Sequence, residues 1–133
     1  MTEYVDSVDG IEPGQLEGFF VDWPDPPSPE RHLSVLQGSD HVVLALDGGR
    51  VVGFVTAITD GIISACVPLL EVLPGHQGRG IGSELMRRVL TRLENLYMVD
   101  LSCDDDLEPF YERLGLGPVG RAMGIRNRKA LRA

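Results

Sequence analysis

A chain of 133 residues, 43% hydrophobic and 24% charged, reads as one globular domain, 1–133, with room for a real core and too short for two. No apolar run approaches the roughly 18 residues that span a bilayer, and a formal net charge of -8 argues against a general nucleic-acid binder. The acidic start, Met1 to Asp6, lacks the basic-then-apolar pattern of a signal peptide, so a cytoplasmic setting is expected.

Tyr4 to Val8 reads as a short strand, and Pro13 to Phe20 as a short helix carrying Leu16, Phe19 and Phe20 on one side. Four prolines between Pro24 and Pro29 hold the next segment extended. Ser28-Pro29-Glu30-Arg31 then starts a helix, with Ser28 as N-cap and Pro29 at the first helical position; it ends by Gly38. His41 to Leu46 and Arg50 to Ile58 are β-rich and joined by Asp47-Gly48-Gly49, a hairpin signal. After the turn at Asp60-Gly61, a strand runs from Ile62 to about Leu73. Pro68 inside it lacks a ladder donor and predicts a bulge or an edge.

That strand runs into Pro74-Gly75-His76-Gln77-Gly78-Arg79-Gly80-Ile81-Gly82 and then into an amphipathic helix with Leu85, Met86, Val89, Leu90, Leu93 and Leu96 on one face. Glycines at 78, 80 and 82 clear side chains from the turn. Backbone N–H groups can then converge on an anion, helped by the helix dipole, and a pyrophosphate is the natural ligand. A P-loop would need Gly-Lys-Ser/Thr at the helix start, and no lysine is there. A dinucleotide fingerprint needs G-x-G-x-x-G after the first strand of a βαβ unit; the spacing here is wrong, although Asp100 lies at about the distance of a ribose ligand.

Tyr97 to Cys103 predicts a further strand, Asp104-Asp105-Asp106 the capped start of a helix over Leu107 to Leu114, and Val119 to Arg126 the last strand. Cys66 and Cys103 sit in apolar, strand-like runs and are expected to be buried, reduced thiols; nothing stands at metal-ligand spacing, so no metal is expected. Charge is divided. Residues 1–76 carry twelve Asp/Glu against two Arg, and residues 77–133 carry eight against ten Lys/Arg. The positive part begins at the glycine loop, where an anion would dock, and the acidic part would attract a cationic second substrate.

Two motifs together carry a resemblance. Gln77-Gly78-Arg79-Gly80-Ile81-Gly82 resembles the Gln/Arg-x-x-Gly-x-Gly/Ala loop of the GNAT superfamily of acyl-CoA-dependent N-acyltransferases. Thirty-four residues after Gln77, Phe110-Tyr111-Glu112-Arg113-Leu114-Gly115-Leu116 is similar to that family's second landmark. The resemblance implies an α/β (α+β) fold: a mixed, mostly antiparallel sheet, splayed between the strand before the glycine loop and the next strand, with about four flanking helices.

It implies acetyl-CoA as donor, its pyrophosphate on the loop from Gln77 and Gly78 through Arg79, Gly80 and Ile81 to Gly82, and its pantetheine arm on backbone groups near Leu70, Val72 and Leu73. It implies Tyr111 as the acid that protonates the leaving thiolate. Glu71, an ionisable residue inside Leu-Leu-Glu-Val-Leu, is the candidate base, directly or through water, with Asp22, Asp60 and His76 next in line. Where the family usually has an Asn contacting the pantetheine, this chain has Asp104, which serves either that contact or a helix cap.

Trp23 is a candidate wall of the acceptor pocket, with Asp22 and Asp25 orienting a cation. The expected activity is acetyl transfer to a primary amine of a small molecule. A non-catalytic acyl-CoA sensor or accessory module, or a protein or peptide amine acetyltransferase, is the alternative. The family ends with two strands and this chain has room for about one, so a homodimer completing the sheet edge is expected.

Overall fold

The computed structural model describes residues 1–132. Five strands form one sheet in sequence order: β1 (Glu3–Val5), β2 (His41–Asp47), β3 (Arg50–Thr59), β4 (Ser64–Val72) and β5 (Met98–Asp100). Neighbours from β1 to β4 run antiparallel, and β4 with β5 parallel. Three α-helices flank it: α1 (Pro29–Gly38), α2 (Ile81–Arg92) and α3 (Glu108–Glu112). The mixed, mostly antiparallel α/β fold is the expected one. The fourth helix, expected over Pro13 to Phe20, is only a 3-10 turn over Pro13–Leu16, because the backbone turns extended at Glu17 (φ −70°, ψ 144°) and left-handed at Gly18 (φ +95°).

Local chemistry explains the framework. Ser28 Oγ accepts from the Arg31 N–H at 3.2 Å and starts α1, as expected of an N-cap. Gly48 and Gly49, at φ +60° and +81°, make the two-residue β2–β3 turn that a right-twisted hairpin favours. Asp60 Oδ1 accepts from the N–H groups of Ile62, Ile63 and Ser64 at 2.7, 2.8 and 3.2 Å, and these bonds hold its carboxyl down to about 2.

The register sorts the two faces. Leu44, Phe54 and Glu71 align across β2, β3 and β4 on one, and Val43, Val55 and Leu70 on the other. The second face takes α2, which buries Ile81, Leu85, Met86 and Val89; at Gly53 a methyl would sit 3.1 Å from Leu85 Cδ1, so the helix lies directly on the strand. The first face takes α1 and the segment before it, through Leu16, Phe19, Phe20, His32 and Leu36.

Three expectations are corrected. The strand over Tyr97 to Cys103 shrinks to three residues, because its pairing with β4 ends at Cys66 opposite Asp100 and β4 bulges immediately beyond, at Val67-Pro68. The thiols of Cys66 and Cys103 are exposed and unpaired, not buried: Cys66 falls between the inward-facing Ala65 and Val67, and Cys103 lies past the end of β5. Among the described residues, 116–127 form no helix or strand, so the last strand expected over Val119 to Arg126 is absent. Gly117, Pro118, Gly120 and Gly124 interrupt its alternation. The chain instead returns to α1, where a 3-10 turn over Arg128–Arg132 places Arg128 and Arg132 on Asp25 at 3.0 and 3.2 Å. Arg31 donates to the carbonyls of Ala130 and Leu131.

Candidate active site

The bulge at Pro68 opens the sheet. β4 continues to Val72 while β5 stops at Asp100, and a cavity of about 360 Å³ fills the gap. One wall is β4 from Val67 to Glu71, and the facing wall is Ser102, Cys103 and Asp104; Leu107 and Tyr111 close one side, Trp23 and Phe54 the other. A smaller cavity of about 240 Å³, lined by residues 6–8, the end of α1, the start of β2 and Arg92, shares no lining residue with it. In its lining Asp6 pairs with Arg92 and Asp40 Oδ2 accepts from the Thr59 N–H at 2.8 Å, which leaves His41 as the remaining titratable side chain.

At the foot of the split, Gly78 and Gly80 adopt φ +77° and +81°, a conformation that costs other residues strain. Gly80 is the N-cap of α2 and no side chain caps this helix. A missing cap costs a helix about 1 kcal/mol, whereas fully burying one Leu-sized side chain contributes about 1.5–3 kcal/mol, so the four buried residues of α2 hold it regardless. The first-turn N–H groups therefore carry no side-chain cap, the state in which a helix N-terminus can take an anion. Gly82 lies inside that first turn rather than in the loop, where a methyl would reach within 3.6 Å of Phe110. Gln77 Nε2 donates to the Val72 carbonyl at 3.0 Å and ties the loop to β4, and the Leu73 N–H is spent on Val52 O at 2.9 Å. Arg79 is exposed, Ile81 is buried under α2, and Leu70 and Val72 face the α2 side, partly buried.

Tyr111 on α3 is partly buried against the core, with Phe110 edge-on at 4.9 Å. Burial, and then the neighbouring Cys103, push its hydroxyl pKa above the ordinary 10.0, so the O–H is intact throughout the neutral range. The Asp104 side chain makes no cap bond and lines the cavity.

Glu71 also lines the cavity, on the face away from α2, and its carboxylate is engaged: Oε1 accepts from the Phe20 N–H at 2.9 Å and Oε2 from the Val21 N–H at 3.3 Å. Trp23 reaches the same end of the cavity, packed edge-on to Phe20 at 4.9 Å. Asp22 is exposed at φ +66°, and Asp25 is taken by the two C-terminal arginines. The structure does not bring Asp60 or His76 to this place. Asp60 sits in the β3–β4 turn, and His76 pairs with Asp47 at 3.3 Å beside the β2–β3 turn.

Phe54, Cys103 and His32 carry no sequence signal for their surroundings. Phe54 is an ordinary strand hydrophobe, 0% exposed, and Cys103 enters the cavity wall only because β5 ends early. His32 is buried within a ring of Phe19, Phe20 and Phe54, at centroid distances of 5.3, 4.8 and 4.4 Å, with neither ring nitrogen hydrogen-bonded. The one hint was its place four residues before Leu36 on the buried side of α1.

Comparison with known proteins agrees with this geometry. The model of the Acetyltransferase (GNAT) family matches residues 8–116. A crystal structure of a candidate acetyltransferase from Deinococcus radiodurans R1 superposes with a TM-score of 0.93 at 52% identity, covering 96% of this chain and 90% of that one. A GNAT family acetyltransferase from Streptococcus pneumoniae TIGR4 superposes with a TM-score of 0.75 at 28% identity, over 96% of this chain and 100% of that one. The chloroplastic GCN5-related N-acetyltransferase 3 of Arabidopsis thaliana is 33% identical over 78 residues, which are 57% of this chain but only 33% of that protein. A split sheet, an uncapped helix behind a left-handed glycine loop and a family match through Leu116 lead to one assignment: the chain belongs to the GNAT acetyltransferase family.

Proposed function

We propose that this protein transfers the acetyl group of acetyl-CoA to the primary amine of a small molecule. The observation that carries the reading is the cavity in the split sheet, with the Tyr111 side chain in its lining and the uncapped start of α2 near its foot. The donor's pyrophosphate is assigned to the loop from Gln77 to Gly82, and its pantetheine arm to the β4 edge at Leu70 and Val72, with Asp104 opposite; Leu73 is left out, because its N–H and carbonyl are bonded to Val52 and His76.

The neutral amine attacks the thioester carbonyl, the C–S bond breaks, and the Tyr111 O–H protonates the departing thiolate. The proton shed by the amine goes to water; Glu71, the candidate base of the sequence, holds both carboxylate oxygens on the Phe20 and Val21 N–H groups. The charged side chains lining the cavity are Glu71 and Asp104, both acidic, which favours an acceptor that arrives as a cation. Trp23, in the cavity lining, and the neighbouring Asp22 are the residues assigned to acceptor binding. Two exposed, unpaired thiols fit a reducing, cytoplasmic setting.

The test is a panel of primary amines (butylamine, 2-phenylethylamine, spermidine, lysine methyl ester and glucosamine) with acetyl-CoA, read as amine-dependent thiol release. Release with at least one of them is expected. Acetyl-CoA binding without release from any would support a binding module instead.

A homodimer is part of the proposal. Among the described residues β5 has one unpaired edge, and Val119, Met123 and Ile125 stand 83%, 93% and 91% exposed on the irregular segment that follows α3. An exposed strand edge beside an apolar, unpaired segment invites pairing with a second copy. Light scattering at micromolar concentration should give twice the chain mass; a monomeric mass would count against it.

A further inference from the structure

The segment that closes the Trp23 side of the cavity is held in an unusual conformation. Phe20 and Asp22 both adopt left-handed backbone, at φ +63° and +66°, and they are the non-glycine residues with positive φ among those described. For a bulky residue such as Phe20 this is a strained state that surrounding contacts must impose. A Trp23 N–H bond to the Phe20 carbonyl at 3.2 Å closes the turn, and the Phe20 ring is buried against Trp23 and His32.

The imposing contact comes from fifty residues away. Glu71, opposite Phe54 on β4, directs one carboxylate oxygen at the Phe20 N–H and the other at the Val21 N–H. Bonds to an ionised acceptor are about twice as strong as neutral ones, and a fork onto two successive N–H groups fixes orientation as well as distance. Trp23, whose side chain forms the cavity wall, follows two residues later.

We infer that Glu71 is a positioning residue: its carboxylate pins the strained Phe20–Trp23 turn, and thereby places Trp23 as the wall against which the acceptor binds. This rests on the acetyltransferase reading for the word acceptor, but the clamp itself does not depend on turnover. A carboxylate is required. Gln offers a single acceptor oxygen and turns an NH₂ toward the second N–H, and Asp is one methylene too short to reach both.

Trp23 is the protein's one tryptophan, so its fluorescence reports the turn directly. Glu71→Gln and Glu71→Asp are both expected to shift Trp23 emission to longer wavelength and raise its quenching by acrylamide, with the far-UV circular dichroism of a folded chain. With the amine that turns over best in the panel above, Glu71→Gln should raise the acceptor KM about tenfold, the cost of losing one hydrogen bond to a charged group. The KM for acetyl-CoA should not change.

Asp22→Gly supplies a residue that adopts φ +66° freely. Added to Glu71→Gln, and compared with Asp22→Gly alone, it should recover part of the Trp23 signal and of the KM. A backbone change in the turn has no means of replacing a lost proton acceptor. Unchanged Trp23 emission in both Glu71 variants would overturn the clamp. So would a fall in kcat alone that Asp22→Gly does not relieve. Absence of turnover with every amine would sink the acetyltransferase reading, and the emission of the two Glu71 variants would still decide the clamp.

Discussion

Tyr111→Phe is expected to lower kcat for acetyl transfer by about 100-fold, the lower end of what a positioned general acid contributes, while acetyl-CoA binding and thermal stability stay at wild-type values. The ring stays in place, so its packing against Phe110 and the core survives, and only the hydroxyl is removed from the cavity wall. A proton donor must hold its proton at the working pH. Burial and the adjacent Cys103 raise the Tyr111 pKa above 10.0, so Tyr111 contributes no alkaline decline below about that value. Stopped-flow or steady-state thiol release, with CoA affinity measured by calorimetry on the same samples, checks both halves. A variant that transfers acetyl groups at the wild-type rate would remove Tyr111 from the chemistry.

The second large effect is on stability and comes from His32. Burial among three phenylalanines lowers its pKa from 6.5 to about 4, and neither ring nitrogen has a partner to offset that. Between pH 6.5 and 4 the unfolded chain therefore takes up a proton that the folded chain refuses. Stability must fall as the pH drops through this window, and be independent of His32 above it. The separation of the two pKa values corresponds to about 3 kcal/mol at the bottom of the window, at roughly 1.4 kcal/mol per pH unit.

Urea unfolding at pH 7.0 and 4.5 should show most of this loss, and His32→Phe should abolish it. Equal pH dependence in the two proteins would mean that the ring is solvated or paired. Asp60 acts in a separate range: its depressed carboxyl contributes above the ordinary value of 3.8 and loses that contribution as the pH falls toward 2.

Legibility followed the range of the interaction. The Ser28 cap, the Gly48-Gly49 turn, the Asp60 turn, the bulge at Pro68 and the buried stripe of α2 each depend on residues within a few positions of one another, and all could be read in advance. The family loop and the tyrosine motif were legible because backbone recognition of phosphates demands glycines at fixed spacing.

What escaped was set by distant partners. The apolar alternation of residues 119 to 125 looks like a strand, but pairing needs a neighbour of adequate length, and β5 offers three residues. Cys103 looked buried because its run was apolar, and became exposed when that strand ended early. Glu71 stood out as an odd carboxylate in a strand, yet nothing in its vicinity could indicate that its partners are the backbone of residues 20 and 21. The left-handed state of Phe20 had no signal at all, since the favoured residues for that region are Gly, Asn and Asp.

The parallel β4–β5 join also has a dynamic consequence. β1 to β4 form an antiparallel meander whose neighbours follow one another in sequence, while β5 reaches its place only after α2 has crossed the sheet and is then held by three residue pairs. Such a strand opens at a small fraction of the global unfolding free energy. Its amides should exchange with solvent well before those of β3. The Ser102–Asp104 wall thus follows a strand held by three residue pairs, so opening of β5 would widen the cavity while β3 and β4 under Glu71 and Phe54 stay paired.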